Sequence, residues 1–461
     1  MKSMKSILIL LTLLLPIALS AQFSINGTRN IKVKSQINEI SQIFVCENLD
    51  QKSVTLSYSY PSSENNTYSC WYYQKGDTQP KAYTDFEISS GKIIFKTLQD
   101  QTAYGVKRNN DPITYIWIFD YKQHQSEIES ITPINTDNDN CSMLRLYIHA
   151  NENSLIYFAL SGYSQEVQRE FQIDYNTLKW SEENKDFTTY TKSITKGVSI
   201  PETYLEEPPL CNTQFTLYGD QFQTSFGHNK KVLSDYYQAE KVTSVAIATI
   251  VNPSKSNIKT NNDITLNEYI SYPIDNTDSP IDIEGSAPLN IDFYAYGNTP
   301  VSVTNTWEIA SDNEYMDLES QYTNPYSESS FKFNYPFRKA GTYYVRLINS
   351  SSGNQCESVT NSFRIKIYDS RLDIPNAFSP GSDGINDIFK VSYQSLLRFK
   401  GWIFNRWGNQ LFHWSDPAQG WDGTYNGKPV PSGVYFYIIE AEGSDGKIYK
   451  KKGDINLFKE Q

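Results

Sequence analysis

The sequence is poor in the residues from which metal and nucleophilic sites are usually built. Its 461 residues include only 4 His, 5 Cys and 4 Met. The cysteines show no CxxC spacing and the histidines are scattered, so the ligand clusters of a zinc site are absent. No Gly-x-Ser-x-Gly elbow, His-Glu-x-x-His pair or phosphate-binding Gly-rich motif occurs. The sequence therefore predicts no enzyme and no catalytic residues, although a carboxylate pair assembled by the fold would leave no local spacing signature.

Basic residues are also too few to form a nucleic-acid interface. Lys and Arg number 41 against 52 Asp and Glu, which gives a net charge of −11. Because nucleic-acid binding depends on clustered Lys and Arg, we expect no nucleic-acid partner. Charged residues make up 20% of the chain, below the average of about 25%, which excludes disorder through excess charge.

Long apolar runs are missing after the first 21 residues. Lys2 and Lys5 precede the apolar run Ile7 to Leu19, and the small residues Ser20 and Ala21 follow it. This order is typical of a secretory signal peptide over residues 1–21. A membrane anchor is the alternative, but the run has 13 residues where a span needs about 20. We therefore expect export through the signal peptide to the cell surface or the extracellular space.

Helical periodicity is nearly absent, and short alternating runs take its place. Aromatic residues reach 14%, which suits half-buried strands. Turn-forming clusters separate the runs, so we predict an all-β fold of tandem immunoglobulin-like β-sandwich modules. The predicted strands are 54–60, 92–96, 114–121, 143–150, 154–159, 213–219, 242–251, 290–296, 330–335 and 342–347.

Proline-containing and acidic stretches suggest the module boundaries. Predicted linkers lie at 200–210, 275–280 and 369–372, with a weaker break near 122–132. The predicted modules are an immunoglobulin-like sandwich over 22–125, a second β module over 126–202, a third small one over 203–275, a fourth over 276–369 and a C-terminal one over 372–461.

The five cysteines can form two disulfides in an exported chain, because export favours oxidation. Cys46 and Cys70 are the preferred pair, since they lie on strands that we expect to be neighbours. Cys141 with Cys211 is a second choice, which would leave Cys356 unpaired. Five reduced, buried cysteines are the alternative.

The fourth module carries a recognisable pattern. It runs through Gly285, Ala287 to Leu289, Trp307, Gly341 and Tyr343. This series resembles a PKD-like immunoglobulin-type domain. We expect Trp307 to fill the space between two sheets, with Tyr343, Val345 and Leu347 alternating into the same core.

The C-terminal module carries a more specific series of six motifs. They are Ile374 to Pro380, Asp383 to Asp387, Ile403 to Gly408, Gly420 to Gly423, Gly433 to Tyr437 and Gly453 to Leu457. In this order they resemble the gliding motility-associated C-terminal domain, the type B sorting domain of the Bacteroidota type IX secretion system. Two departures are Gly381-Ser382 before Asp383 and Phe458-Lys459 at the end.

The resemblance implies a β-sandwich and a route of export, with the type IX translocon and a PorP/SprF-like outer-membrane protein as partners. The turn signals Asn426-Gly427 and Asp445-Gly446 independently predict two hairpins. The expected sorting-motif residues are Pro375, Asn376, Phe378, Asp383, Gly384, Asn386, Asp387, Asn405, Arg406, Trp407, Gly408, Trp421, Asp422, Gly423, Gly433, Tyr435 and Gly453.

Two weaker site hypotheses accompany this series. Asp383, Asn386 and Asp387 supply enough oxygen ligands for Ca²⁺, although the same residues are good turn formers. The aromatic residues of the first module could form a sugar-stacking platform, but a sandwich core requires the same residues and is favoured. These residues are Tyr58, Tyr60, Trp71, Tyr72, Tyr73, Tyr115 and Trp117.

Three functional classes stay open. The first is a non-catalytic surface protein, either an adhesin or a structural component, whose partners are surface glycans or host or bacterial proteins. The second is a carbohydrate-binding or glycan-hydrolysing protein, and the third an accessory component of the gliding or secretion machinery. The C-terminal module has ten basic and ten acidic residues, so the net charge of −11 belongs to residues 1–371. We call residues 22–371 the passenger. An acidic passenger on a neutral sorting module favours the first class, the non-catalytic surface protein.

Overall fold

The computed structural model describes eleven ranges of the chain: residues 22–50, 52–60, 66–134, 141–151, 153–195, 198–228, 230–252, 271–274, 279–324, 330–381 and 384–458. The predicted signal peptide and most of the predicted linker 275–280 lie outside them. Within the described ranges, no helix is long and apolar enough to cross a membrane. The fold is all-β, as predicted, and each of the ten predicted runs overlaps a strand.

The first module is a sandwich of ten strands. The strands are β1 (Gln22–Asn26), β2 (Asn30–Val33), β3 (Ile40–Cys46), β4 (Thr55–Ser59), β5 (Tyr68–Gln74), β6 (Lys81–Ala82), β7 (Phe86–Ser89), β8 (Lys92–Phe95), β9 (Thr102–Arg108) and β10 (Thr114–Asp120). One sheet has the order β1-β4-β8-β7 and the other the order β2-β3-β10-β9-β5-β6. Phe44, Leu56 and Ile93, all fully buried, belong to the core between them. The favoured core interpretation is confirmed for Tyr58, Tyr73, Tyr115 and Trp117, which are buried. Tyr60, Trp71 and Tyr72 are only partly buried.

The second module begins after a short 3₁₀ turn, Tyr121–Gln123. Its elements are β11 (Glu127–Ile134), β12 (Leu144–Asn151), β13 (Ile156–Phe158), β14 (Ser164–Glu166), β15 (Ile173–Ser181), β16 (Asp186–Ile194), β17 (Glu202–Leu205), β18 (Thr216–Tyr218), α1 (Gln221–Ser225) and β19 (Lys231–Leu233). The sheets β11-β12-β17 and β16-β15-β18-β19 enclose one core that contains Ile148, Ile173 and Phe215.

The predicted division at residue 202 is wrong. Strand β17 pairs with β12, and β18 pairs with β15, so strands on both sides of the division complete the same two sheets. The proline-containing stretch 200–210 therefore includes a paired strand and is not a linker. Strand pairing over long sequence separations satisfies the backbone hydrogen bonds here, and a pass along the chain cannot detect such pairing.

One module, called the third module from here on, takes the place of the predicted third and fourth modules, and it starts well before residue 276, where the fourth was predicted to begin. Its strands are β20 (Ser244–Asn252), β21 (Ser271–Ile274), β22 (Ile281–Ser286), β23 (Leu289–Gly297), β24 (Ser302–Ala310), β25 (Leu318–Asn324), β26 (Ser330–Phe337), β27 (Gly341–Ser351), β28 (Glu357–Val359) and β29 (Phe363–Tyr368), with a 3₁₀ turn at Ser352–Asn354. The sheet β21-β20-β23-β26 faces the sheet β22-β29-β27-β24-β25, in which β28 also pairs with β27. Because β20 pairs with β23, no separate module spans 203–275.

Trp307 lies where the sequence places it. Its side chain is 0% exposed and its ring centroid is 5.2 Å from that of Phe293 across the sandwich. Tyr343, Val345 and Leu347 are buried in the same core. The predicted alternation of strand β27 is therefore confirmed.

The C-terminal module is built on one five-stranded sheet. Its strands are β30 (Arg371–Asp373), β31 (Ala377–Phe378), β32 (Ser392–Gln394), β33 (Leu396–Phe404), β34 (Gln410–Trp414), β35 (Thr424–Tyr425), β36 (Lys428–Pro429), β37 (Gly433–Gly443) and β38 (Ile448–Leu457). The main sheet has the order β31-β38-β37-β33-β34, and the ribbons β30-β32 and β35-β36 accompany it. Both predicted hairpins form, since β35 pairs with β36 and β37 with β38.

The preferred disulfide is wrong, because its two strands are not neighbours. Cys46 on β3 and Cys70 on β5 are separated by β10 and β9, which places them three strand spacings of about 4.8 Å apart. A disulfide needs Cα atoms within about 7 Å. Both thiols are free and buried, and Cys211 is free and partly exposed. The disulfide joins Cys141 to Cys356 with a Cα–Cα distance of 5.5 Å, so the second choice, Cys141 with Cys211, is also wrong.

Contacts join successive modules. Between the first and second, the Tyr121 hydroxyl donates a 2.7 Å hydrogen bond to the buried Asp220 carboxylate, which also pairs with the Arg169 guanidinium of its own module. Between the second and third, the disulfide is accompanied by Asn298, whose amide donates 2.8 Å bonds to the carbonyls of Leu210 and Lys241. The passenger modules therefore meet through packed, hydrogen-bonded joints.

Candidate functional site

The hairpin loop between β33 and β34 presents two side chains of the sorting motif. The Asn405 side-chain oxygen accepts 3.0 Å hydrogen bonds from the backbone N–H groups of Trp407 and Asn409. Gly408 has φ 81°, and its N–H donates to the Asn405 carbonyl at 3.0 Å. Asn405 and Gly408 thus fix the turn. Trp407 is 71% exposed, and the Arg406 guanidinium lies 4.2 Å from its ring centroid.

An apolar surface adjoins this loop on the outward side of the main sheet. Alternation along β37 turns Val434, Phe436 and Ile438 outward, and they are 49%, 43% and 42% exposed. Trp402 and Phe404 on β33 are the registered partners of Ile438 and Phe436 and are partly exposed. We name these five residues (Trp402, Phe404, Val434, Phe436 and Ile438) the apolar outer face. Exposed apolar patches of this kind mark interaction sites.

Charged residues border the apolar outer face. Lys452 lies opposite Ile438, and Asp454 opposite Phe436, on the neighbouring strand β38. Between the face and the loop runs a groove of about 550 Å³ that includes Phe404, Arg406, Phe436 and Lys452. The arrangement suits a partner that offers apolar side chains together with acidic groups.

The opposite side of the sheet contains the motif residues that build the core. Trp421 is 0% exposed, with ring centroids 5.4 Å from Phe378 and 5.2 Å from Tyr435. Its indole N–H donates to the Thr424 carbonyl at 2.8 Å, and the Tyr435 hydroxyl donates to the Pro431 carbonyl at 2.7 Å. These side chains are satisfied internally, so they define the fold of the module.

The remaining motif residues shape turns and close contacts. The Asp422 carboxylate accepts bonds from the Thr424 N–H at 2.9 Å and hydroxyl at 2.8 Å. Gly423 and Gly433 have φ values of 78° and 151°, which suit glycine. A Cβ at Gly453 would lie 2.6 Å from the Tyr437 hydroxyl oxygen. These positions therefore shape turns and close contacts, and of the four only Gly423 is fully buried.

The loop that begins the module is held by its own backbone. The two Asp387 carboxylate oxygens accept 2.9 Å bonds from the N–H groups of Gly381 and Gly384. Asn386 in this loop has φ 56°. Asn376, the residue after Pro375, accepts a 2.9 Å hydrogen bond at its carbonyl from the Asn456 N–H. Asp383 lies outside the described residues, so the Ca²⁺ site stays a prediction. Among the residues that are described, no three His, Cys, Asp or Glu side chains cluster as metal ligands.

The sequence analysis identified the loop but missed the apolar outer face. The signal was present in β37, where every residue from Val434 to Ile439 is apolar or aromatic and not only every second one. Such a run predicts a strand covered on both faces. In this module only one face is covered, so the second face is left in solvent.

Two family models match parts of the chain. Residues 372–457 match the CHU_C type IX secretion signal domain. The C-terminal module thus carries a type IX secretion signal, which supports secretion to the cell surface or the extracellular space. Residues 133–234 match a fibronectin type III domain, Fn3_FA, across the boundary predicted at residue 202. Comparison with curated proteins gives no significant sequence match.

Similarity to solved structures is shallow. Latent PorU from Porphyromonas gingivalis is 12% identical with a TM-score of 0.14, covering 76% of this chain and 36% of its own. The N-terminal eight Ig domains of Down syndrome cell adhesion molecule are 10% identical with a TM-score of 0.21, and the match covers 90% of this chain and 53% of that one. A Ca²⁺-stabilized adhesin of an Antarctic bacterium is 9% identical with a TM-score of 0.18, and the match covers 90% of this chain and 96% of that one. This chain thus spans less than two thirds of the first two structures.

Proposed function

We propose that this protein is a non-catalytic surface protein, an adhesin or a structural component, which the type IX secretion system delivers. Its C-terminal module, of type B, docks on the secretion machinery through Trp407, Arg406 and the apolar outer face. The observation that carries the proposal is that one loop of the secretion-signal match presents an exposed tryptophan beside an exposed apolar sheet face.

The position of this surface supports the proposal. Strand β33 starts at the third module, where the Ser395 hydroxyl accepts a 3.2 Å bond from the Ala287 N–H, and ends at the Trp407 loop. Because a strand rises about 3.3 Å per residue, Phe404 lies roughly 26 Å along it from Leu396. The docking surface is therefore at the end of the module that faces away from the passenger.

The partner follows from the chemistry of the surface. An exposed tryptophan with an adjacent guanidinium is the kind of anchor that dominates protein interfaces. The apolar centre suits a protein with apolar side chains, and Arg406 and Lys452, which outnumber Asp454 in the groove, favour acidic groups on that protein. A PorP/SprF-like outer-membrane protein associated with the type IX translocon is the proposed partner.

The test compares two exposed aromatic residues of the same module in the full chain. Trp407→Ala should lower the fraction of protein outside a type IX-competent cell about tenfold, as loss of an interface anchor does. Tyr425→Ala is the matched control, because Tyr425 is 44% exposed and is not part of the outer face or the loop. Equal export of both variants would refute docking through Trp407. Co-purification with the outer-membrane partner, lost in Trp407→Ala only, would identify the contact.

The passenger is proposed to display binding or structural surfaces and to perform no turnover. Three sandwiches joined by the Tyr121–Asp220 hydrogen bond and by the Cys141–Cys356 disulfide suit a rigid spacer, and the third is proposed to be PKD-like. The test is incubation of the purified full chain with polysaccharides and peptides. Release of reducing ends or cleaved peptide, abolished by one Asp or Glu substitution, would refute the non-catalytic assignment.

Glycan binding is a second candidate for the passenger, and one surface favours it. Tyr147 on β12 and Tyr204 on β17 are 39% and 50% exposed on the same sheet. The Tyr204 hydroxyl donates to the Glu202 carboxylate at 3.1 Å, which gives the aromatic surface a polar neighbour. On a glycan array, Tyr147→Ala with Tyr204→Ala should abolish binding, whereas Tyr163→Ala, at a residue 57% exposed, should not. Binding that survives the double substitution would exclude this surface.

A further inference from the structure

We infer that the C-terminal module is retained after export, because its connection to the third module is short and is held between paired strands by hydrogen bonds. The inference rests on the proposed export but concerns the fate of the module afterwards. Delivery signals that are removed must be connected through accessible, flexible chain, since proteolysis concentrates in exposed loops. The predicted linker 369–372 would have been such a segment.

The structure replaces that linker with two adjoining strands. Ile367 belongs to the core of the third module and is 2% exposed, while Leu372 belongs to the C-terminal core and is 7% exposed. Strand β29 pairs on both sides, with β22 and β27, and β30 pairs with β32. Only Asp369 and Ser370 connect β29 to β30.

Ser370 is fixed by several hydrogen bonds. Its hydroxyl donates to the Asp445 carboxylate at 2.6 Å, and its backbone N–H donates to the same carboxylate at 3.3 Å. The Tyr449 hydroxyl donates to the Ser370 carbonyl at 2.9 Å. A Cβ at Gly443 would lie 2.1 Å from the Ser370 hydroxyl oxygen, so the connection packs directly on β37.

Further bonds cross the joint beside the connection. The Ala340 N–H donates to the Ser444 carbonyl at 3.1 Å, and the Ser444 hydroxyl donates to the Tyr368 carbonyl at 3.2 Å. Leu397 of the C-terminal module packs against the core of the third module. A protease would have to wait for local opening of this joint, and such opening costs the free energy of the contacts that it breaks.

Arg371 makes the inference directly measurable with trypsin. Its side chain is 60% exposed and pairs with Asp373 at 2.6 Å, so recognition of the guanidinium is not the limiting step. Cleavage of the Arg371–Leu372 bond in purified full chain then reports opening of the backbone. We expect Tyr449→Phe combined with Asp445→Ala to raise this cleavage rate about tenfold or more, because the bonds to Ser370 are lost.

The matched control is Tyr435→Phe, which removes a tyrosine hydroxyl whose bond goes to Pro431 within the module. It should leave the rate at Arg371 unchanged. Tyr449→Phe alone keeps the ring and serves if the double variant does not fold. Rapid trypsin cleavage at Arg371 in the wild-type chain, at the rate of the double variant, would overturn the inference.

The second measurement uses protein recovered from outside a type IX-competent cell. Mass spectrometry should find an intact C-terminal module, with peptides through residue 458 in the same amount as those of the third module. A new C terminus between residues 367 and 374 would overturn retention while leaving export intact. Absence of the protein from the exterior would instead refute the proposed export, and the trypsin measurement would still decide whether the joint is closed.

Discussion

The inner and outer faces of the five-stranded sheet in the C-terminal module both carry large apolar residues, but only one is covered. Trp421, Phe378 and Tyr435 pack inside, and Trp402, Phe436 and Ile438 face solvent. Residues of one sorting motif series therefore have two different roles. Those inside specify the module, while Trp407 and its apolar neighbours offer a surface that a folded module can present to the secretion machinery.

The largest expected effect is on the inner face. Trp421→Ala should destabilise the module by about 3–5 kcal/mol, as loss of a buried aromatic ring does. Hydrogen exchange of strands β37 and β38 in the full chain measures this locally, without assuming two-state unfolding. A change below about 0.5 kcal/mol would mean that Trp421 is not core.

A smaller inner-face effect comes from adding volume. A Cβ at Gly401 would lie 2.5 Å from the ring of Trp414, which is 3% exposed. Gly401→Ala should therefore cost about 1–3 kcal/mol through overpacking. The adjacent Lys400→Ala faces outward and should change stability by less than about 0.5 kcal/mol. If both variants melt alike, the two faces are not distinct.

On the outer face, Phe436→Thr and Ile438→Thr should change stability by less than about 1 kcal/mol, since Thr is a good strand former and no core contact is lost. Export should nevertheless fall by about as much as we expect for Trp407→Ala. The measurement pairs an unfolding curve with the fraction of protein outside the cell. Loss of stability with loss of export would show that the face is structural.

In the first module, Cys46 and Cys70 are buried in the core between the two sheets, and this burial predicts how their thiols react. The test needs no substitution, so it does not alter stability. Burial raises the pKa of Cys70 to about 12 and also raises the pKa of Cys46, so neither thiol is ionised at pH 8. A maleimide should label only Cys211 in the folded chain, and slowly, because partial burial raises its pKa as well. Cys46 and Cys70 should react after unfolding without reductant. If neither thiol reacts in the unfolded chain, the rejected prediction of a Cys46–Cys70 disulfide is correct.

Local sequence patterns predicted individual strands and turns well. Alternation located Trp307 and β27, and Asn426-Gly427 predicted the turn in which both residues have positive φ, 51° and 74°. These features depend on neighbouring residues along the chain. The pairing of strands depends instead on residues that are far apart in sequence. For this reason the predicted Cys46–Cys70 disulfide and the predicted boundary at residue 202 were wrong.

By itself the sequence determined that the chain is all-β, that its acidic excess lies in residues 1–371 and that its C-terminal module has two defined turns, because composition, charge and alternation act locally. The sorting role of that module was predicted from a resemblance. Only the tertiary structure decided which strands share a sheet, which cysteines meet, and which apolar residues stay exposed. Cys141 and Cys356 are 215 residues apart in sequence and come together only because two modules pack against each other. Phe436 is as apolar as a core residue, and it is exposed because nothing else in the described chain covers that face of the sheet.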